Sequence, residues 1–168
     1  MTIEDEARTA YAAYVDTRKK IEAGEVPWSS LENFFTDDVT FIDPAWGRVE
    51  GIDEARVFWD ESMVGLEGWS FPEAWTMVDG NRVVTMWWQV MGTRDDGTKI
   101  RVPGISILYY AGDGKFCYEH DIMNMSHVME AVTESGWAPS GEFNMPPAEP
   151  VRDSSLPATR VGITDDDV

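Results

Sequence analysis

Asp43 and Asp121 are the side chains of this 168-residue sequence best placed to move protons. Asp43 closes the run Val39-Thr40-Phe41-Ile42, in which Val39 and Phe41 alternate with Thr40 and Ile42, and it is followed by Pro44, Trp46 and the Gly47 turn. A carboxylate where a half-buried strand runs out can point into a pocket, where shielding from water makes it basic enough for proton abstraction. It can equally end the strand and cap the turn. Asp121 stands in Tyr118-Glu119-His120-Asp121-Ile122-Met123-Asn124. Strand alternation puts Cys117, Glu119, Asp121 and Met123 on one face and Tyr118, His120 and Ile122 on the other, so Asp121 and His120 cannot both face inward without a bulge. With Asp121 in a cavity, the two Asp residues would be a separated pair, one ionised and the other raised in pKa. The alternative for Asp121 is an ion pair with Arg48 or Arg101.

The elements that must position these acids follow from periodicity. Ala7, Ala10, Tyr14, Thr17 and Ile21 recur at helical spacing, with Arg8, Asp16, Lys19 and Lys20 on other faces. Ser29 and Glu32 have capping-box spacing ahead of Phe34 and Phe35, which predicts a short second helix before a strand at about Val39 to Ile42. Gly51 opens a third helix with the stripe Ile52, Ala55, Trp59, Met63 and Leu66, ending near Gly65 or Gly68. Four long runs of period two follow, over 70–78, 82–94, 99–110 and 115–123, separated by short Gly-containing turns that make antiparallel hairpins. One of the neighbours Trp87 and Trp88 faces the concave side of the sheet; Trp88 is taken as the cavity residue, beside Trp46 and Trp59. Asn124 caps a last helix that Gly136 stops. Residues 1–137 thus read as one α+β roll, and residues 138–168 as a Pro-rich acidic tail.

Composition excludes several function classes. Thirty-one acidic against thirteen basic residues give a net charge of −18, a field that repels phosphate backbones and anionic lipid head groups, so neither nucleic acid nor membrane is an expected partner. Part of that charge is the terminal Asp165-Asp166-Asp167, suited to solubility. The lone Cys117 forms no internal disulfide, the start carries no basic leader or apolar signal core, and a cytoplasmic location is expected. Two His and one Cys do not assemble a usual zinc site, and phosphate loop, dinucleotide turn and nucleophile elbow are all missing, so neither metal nor cofactor is expected. Eight Trp and nine Met can line an apolar cavity as readily as fill a core.

The segment from Phe34 through Asp43-Pro44 to Trp59, together with Gly114 to Met129, resembles the ketosteroid isomerase and SnoaL-like superfamily, related to the nuclear transport factor 2 fold. The resemblance implies a cone-shaped α+β roll, three N-terminal helices and a C-terminal helix on a curved antiparallel sheet, with dimers formed through the sheet. It implies that Asp43 is the base, that Tyr14 on the first helix is a donor to a developing enolate, and that Asp121 matches the acid/base Asp of polyketide cyclases. Where isomerases place a protonated Asp on the penultimate strand, this chain has Ser106. A hydroxyl is a weaker donor, so steroid isomerisation itself is disfavoured. The expected activity is cofactor-independent acid/base chemistry on an apolar cyclic carbonyl compound, by isomerisation, aldol-type cyclisation or dehydration. Catalytic candidates are Asp43, Asp121, Tyr14 and His120, with Trp46, Trp59, Trp88, Ser106, Phe41 and Met123 around the substrate. A binding module for a hydrophobic metabolite and a dimeric interaction subunit are the alternatives.

Overall fold

The computed structural model describes residues 1–157; Asp165, Asp166 and Asp167 lie outside the described residues. Four helical segments pack on one six-stranded sheet. Helix α1 (Ile3–Glu22) is started by a capping box, in which the Thr2 hydroxyl accepts the Asp5 amide N–H at 3.2 Å and the Asp5 carboxylate accepts that of Thr2 at 3.0 Å. Its buried stripe is Ala7, Ala10, Tyr11, Tyr14 and Ile21. The short second helix is the 3-10 segment Trp28–Phe34, and its N-cap residue is Pro27, which makes no side-chain capping bond, rather than Ser29 in a capping box. Asp60 takes the Ser29 amide at 2.8 Å, and seven residues between Pro27 and the strand are too few to repay nucleation of an α-helix.

Strand β1 runs Phe35–Asp43, four residues longer at its start than alternation suggested, and turns at Pro44 into β2 (Gly47–Glu50). Gly51, at φ +81°, is the N-cap of α2 (Ile52–Ser62), which stops short of Gly65. Strands β3 (Glu73–Asp79), β4 (Arg82–Thr93), β5 (Lys99–Gly112) and β6 (Lys115–Met123) form successive hairpins. Asn124 accepts the Ser126 and His127 amides at the start of α3 (Met125–Ser135), and Gly136 ends it in the left-handed region at φ +64°.

The sheet order is β2-β1-β6-β5-β4-β3. All pairings are antiparallel except β1 with β6, which is parallel. A hairpin forces antiparallel pairing, but β1 and β6 are joined only through the rest of the fold, and nothing local fixes their direction. A bulge corrects the alternation expected for β6: Tyr109 pairs with Tyr118 and Tyr110 with Phe116, so Cys117 is skipped. Cys117 therefore packs with Ile42, Tyr109 and Tyr118 on the outer face, while Phe116 joins the main core.

Helices α1 and α2 cover one half of the inner sheet face over Leu31, Phe35, Val39, Phe41, Trp59, Leu108 and Phe116. Helix α3 covers the other end over Met91, Ile100 and Val102. The segment after α3 crosses between them. Phe143 meets Trp137 edge-on at 5.4 Å, the Asn144 amide donates to the Glu61 carbonyl at 3.2 Å, and the Arg48 N–H donates to the Val151 carbonyl at 3.0 Å. Among the described residues no helix is long and apolar enough to cross a membrane.

Candidate functional site

Between α1, α2, α3 and the inner sheet face lies a cavity of about 430 Å³, in the size range of small-molecule sites. Tyr14, Phe41, Asp43, Trp46, Trp59, Asp121 and Met123 all line it. Trp88 does not. The parity of β4 sends Trp87 inward and Trp88 to the outer face, where the Arg101 guanidinium sits 3.9 Å from its ring centroid, so Trp87 takes the place expected of Trp88. His120 is likewise on the outer face, half-buried, with Nδ1 3.3 Å from the Tyr118 hydroxyl; burial lowers its pKa. Asp121 and His120 are thus separated by strand parity, since the bulge lies upstream of both.

Asp43 is held by its own turn, Oδ1 accepting the amide N–H groups of Ala45 and Trp46 at 2.7 Å each. Desolvation raises its pKa, and the two amides act against that rise. Ending a strand and facing a pocket are therefore not exclusive, because the turn engages Oδ1.

Asp121 sits opposite Ser106 across the β5–β6 ladder. The Ser106 hydroxyl donates to Asp121 Oδ1 in a short hydrogen bond and accepts the Trp87 indole N–H at 2.9 Å. Two residues back on the same strand, Glu119 is 2% exposed and hydrogen-bonded to Asp121. The hydroxyl of Tyr14, itself buried, lies 3.3 Å from both Glu119 carboxyl oxygens. The result is one chain of polar groups, Tyr14, Glu119, Asp121, Ser106 and Trp87, crossing the cavity floor from helix to sheet.

Its electrostatics follow from burial. Desolvation, reinforced by Asp121, pushes Glu119 well above the ordinary carboxyl range. Desolvation also raises Asp121, to about 7, with the Ser106 hydrogen bond lowering it and the Asp43 charge raising it. Tyr14 is raised by burial and by Glu119, and so remains a hydroxyl donor. The pair shares a proton at neutral pH, with Glu119, the more strongly raised of the two, as its holder and donor to Asp121.

Glu119 and Arg18 are site residues that the sequence reasoning did not single out. Glu119 shares its face with Asp121 at spacing two, and Arg18 lies one helical turn from Tyr14; those spacings were the available signals. Arg18 lines the cavity with its guanidinium carbon 5.8 Å from the Trp28 ring centroid and 5.7 Å from that of Phe71. Burial alone would lower its pKa, but Tyr14, Glu22, Glu119 and Asp121 more than offset this and hold the group charged.

A helix-lined cone closed by a curved sheet, with carboxyl groups at its floor, defines the nuclear transport factor 2-like class of α+β rolls. The chain belongs to the SnoaL-like domain family, whose model matches residues 12–119. Solved structures share the fold at low identity. A candidate SnoaL-like polyketide cyclase from Jannaschia sp. CCS1 is 18% identical with a TM-score of 0.62, over 79% of this chain and 95% of that one. A Catenulispora acidiphila DSM 44928 protein with a ketosteroid isomerase-like fold, in complex with trimethylamine, is 18% identical with a TM-score of 0.58, over 75% and 97%. TerC, co-crystallised with polyporic acid, is 19% identical with a TM-score of 0.55, over 79% and 99%. No curated protein matches the chain.

Proposed function

We propose that the protein is a cofactor-independent acid/base enzyme acting on an apolar cyclic or polycyclic carbonyl compound. The observation that carries this reading is the buried Glu119–Asp121 carboxyl pair, tied to Tyr14 and Ser106 and facing an apolar cavity that also contains Asp43; burial raises the pKa of both members of the pair. The neighbour described as a SnoaL-like polyketide cyclase, and TerC co-crystallised with polyporic acid, support an organic small-molecule ligand for such a cavity.

In this reading a carboxylate, Asp43 or Asp121, takes a proton from carbon beside the carbonyl. The C–H electron pair becomes the enolate double bond and the negative charge moves to oxygen. The Tyr14 hydroxyl, now directed at Glu119, and the protonated Glu119, now directed at Asp121, can donate to that oxygen by exchanging those acceptors for it. Returning the proton to another carbon completes isomerisation. Attack of the enolate carbon on a second carbonyl forms a C–C bond and an alkoxide, which takes the abstracted proton back from the carboxyl group to give the aldol; removal of a remaining α-proton by the carboxylate, with departure of the hydroxyl group as water on taking up that proton, completes dehydration. Residues 1–137 supply this chemistry, and Phe143 to Pro146 cover the cavity.

Asp43→Asn and Asp121→Asn should each lower turnover by at least ~100-fold, the lower range for lost general acid/base catalysis, with the fold intact. The assay is a panel of polycyclic ketones, first ranked by quenching of intrinsic Trp fluorescence and then followed for product. Unchanged turnover in either variant would remove that residue from the mechanism. A hydrophobic-ligand carrier is the second reading, favoured by the coverage of the cavity by Phe143 to Pro146, and it gives saturable binding with no product. For assembly we infer a homodimer through the outer sheet face, where Trp75, Met77, Ile105 and Ile122 leave apolar surface exposed; light scattering at monomer mass would reject it.

A further inference from the structure

Resting on the cavity assigned above, the distribution of hydrogen-bond donors specifies the ligand further. Arg18 Nε–H is buried with no acceptor among the described residues. Its one ion-pair partner among the described residues is Glu22, at 3.6 Å from Nη2, and the other Glu22 oxygen accepts the Phe71 amide at 3.2 Å. A guanidinium has five donors in a planar fork matched to carboxylate oxygens, and leaving a buried donor unpaired is costly. The indole N–H groups of Trp59 and Trp69 are also buried without an acceptor among the described residues, and both residues line the same cavity. Glu119 and Asp121, on the cavity floor, do not neutralise Arg18 fully, because burial favours their protonated forms.

We propose that Arg18 recognises an anionic oxygen of the ligand, so that the cavity takes a planar aryl carboxylate or enolate with further acceptor oxygens for Trp59 and Trp69. The ring system would extend along the aromatic wall of Trp28, Phe71 and Trp87, whose rings already meet edge-on at 5.9 to 6.0 Å. A cationic ligand fits this wall poorly, since the Arg18 charge already lies against two of its rings. The overall charge of −18 slows the approach of an anion without deciding its affinity inside.

The test compares anthraquinone-2-carboxylate with anthraquinone-2-carboxamide by calorimetric titration of the full chain, at fixed pH and salt. Wild type should bind the carboxylate about tenfold or more tightly than the amide, the margin of a charge-assisted over a neutral hydrogen bond. Arg18→Gln should erase that preference while leaving the amide within about threefold of wild type, and Arg18→Lys should restore part of it. Equal affinities in wild type would overturn the inference while leaving the open cavity, and the acid/base reading, in place; that comparison needs no variant to fold. An equal loss for both ligands in Arg18→Gln would reduce Arg18 to packing and overturn it as well. Tighter binding of 2-(aminomethyl)anthraquinone than of the carboxylate would do the same. Binding of none of the three would reject the open cavity, and with it both readings.

Discussion

Trp87 gives its indole N–H to Ser106 at 2.9 Å while its ring lies flat against Gly104, its direct partner across the β4–β5 ladder. A Cβ on Gly104 would fall 2.5 to 2.7 Å from three ring carbons of Trp87. The bare backbone at Gly104 is therefore what lets an indole from one strand reach a hydroxyl two residues along the next. Gly104→Ala should push the ring out of the cavity wall and break its hydrogen bond, at a cost in the ~1–3 kcal/mol range of overpacked cores. Urea denaturation measures the cost, and the Trp fluorescence maximum reports the displaced ring. A variant with wild-type stability and spectrum would show that the wall yields freely.

Ser106 in turn sets the acidity of Asp121. Its hydroxyl bonds to the charged form of the carboxyl and so opposes the desolvation that raises the pKa to about 7. Ser106→Ala should move the Asp121 midpoint upward from about 7, readable by carboxyl carbon NMR. It should also leave the Trp87 N–H without its acceptor. A downward or absent shift would mean that desolvation alone governs Asp121.

The same elevation links stability to pH. An Asp at about 7 in the folded chain against 3.8 unfolded binds more protons when folded throughout that interval. Stability is greatest below the unfolded value and falls as pH rises towards the folded one. For Asp121 alone the loss reaches roughly 4 kcal/mol by pH 8, as an upper bound, and the raised values of Glu119 and Asp43 act in the same direction. The urea midpoint of wild type should therefore drop between pH 5 and pH 8, and Asp121→Asn should flatten that slope. Equal slopes would place the titration elsewhere.

How much of this could be read beforehand depended on whether a feature is local. Caps and stops at Asn124 and Gly136 are written in single residues, and the helices and hairpins in periodicity. The placement of Asp43 at the end of β1 needed only alternation and Asp-Pro. What stayed hidden depends on register. Whether Trp87 or Trp88 faces inward is a one-residue question that alternation poses and only packing answers. The bulge at Cys117 decides which β6 residues face inward, and the β4–β5 and β5–β6 registers place Trp87, Ser106 and Asp121 side by side. Arg18 was hidden for another reason: a cation on a helix reads as solvated face until Trp28 and Phe71 are seen to pack against it.

That C-terminal segment yields the last prediction. Gly65 has φ +88°, and a Cβ there would lie 2.7 Å from the Glu142 carbonyl oxygen and within 3.0 Å of Phe143. The turn after α2 and the strap over the cavity are therefore fitted to each other through one residue without a side chain. Gly65→Ala carries two costs: the left-handed backbone, about 1–2 kcal/mol for an L-residue, and displacement of the strap. A double-mutant cycle separates them. In a chain ending after Trp137 only the backbone cost should remain, so Gly65→Ala should cost less there than in the full chain, by on the order of 1 kcal/mol. Hydrogen exchange at Phe143 and Asn144 should quicken in the full-length variant, marking a strap lifted from the cavity that Phe143, Asn144, Met145 and Pro146 help to line. Equal costs in the two backgrounds, with exchange unchanged, would mean that the strap tolerates the methyl group and that Gly65 serves the turn alone.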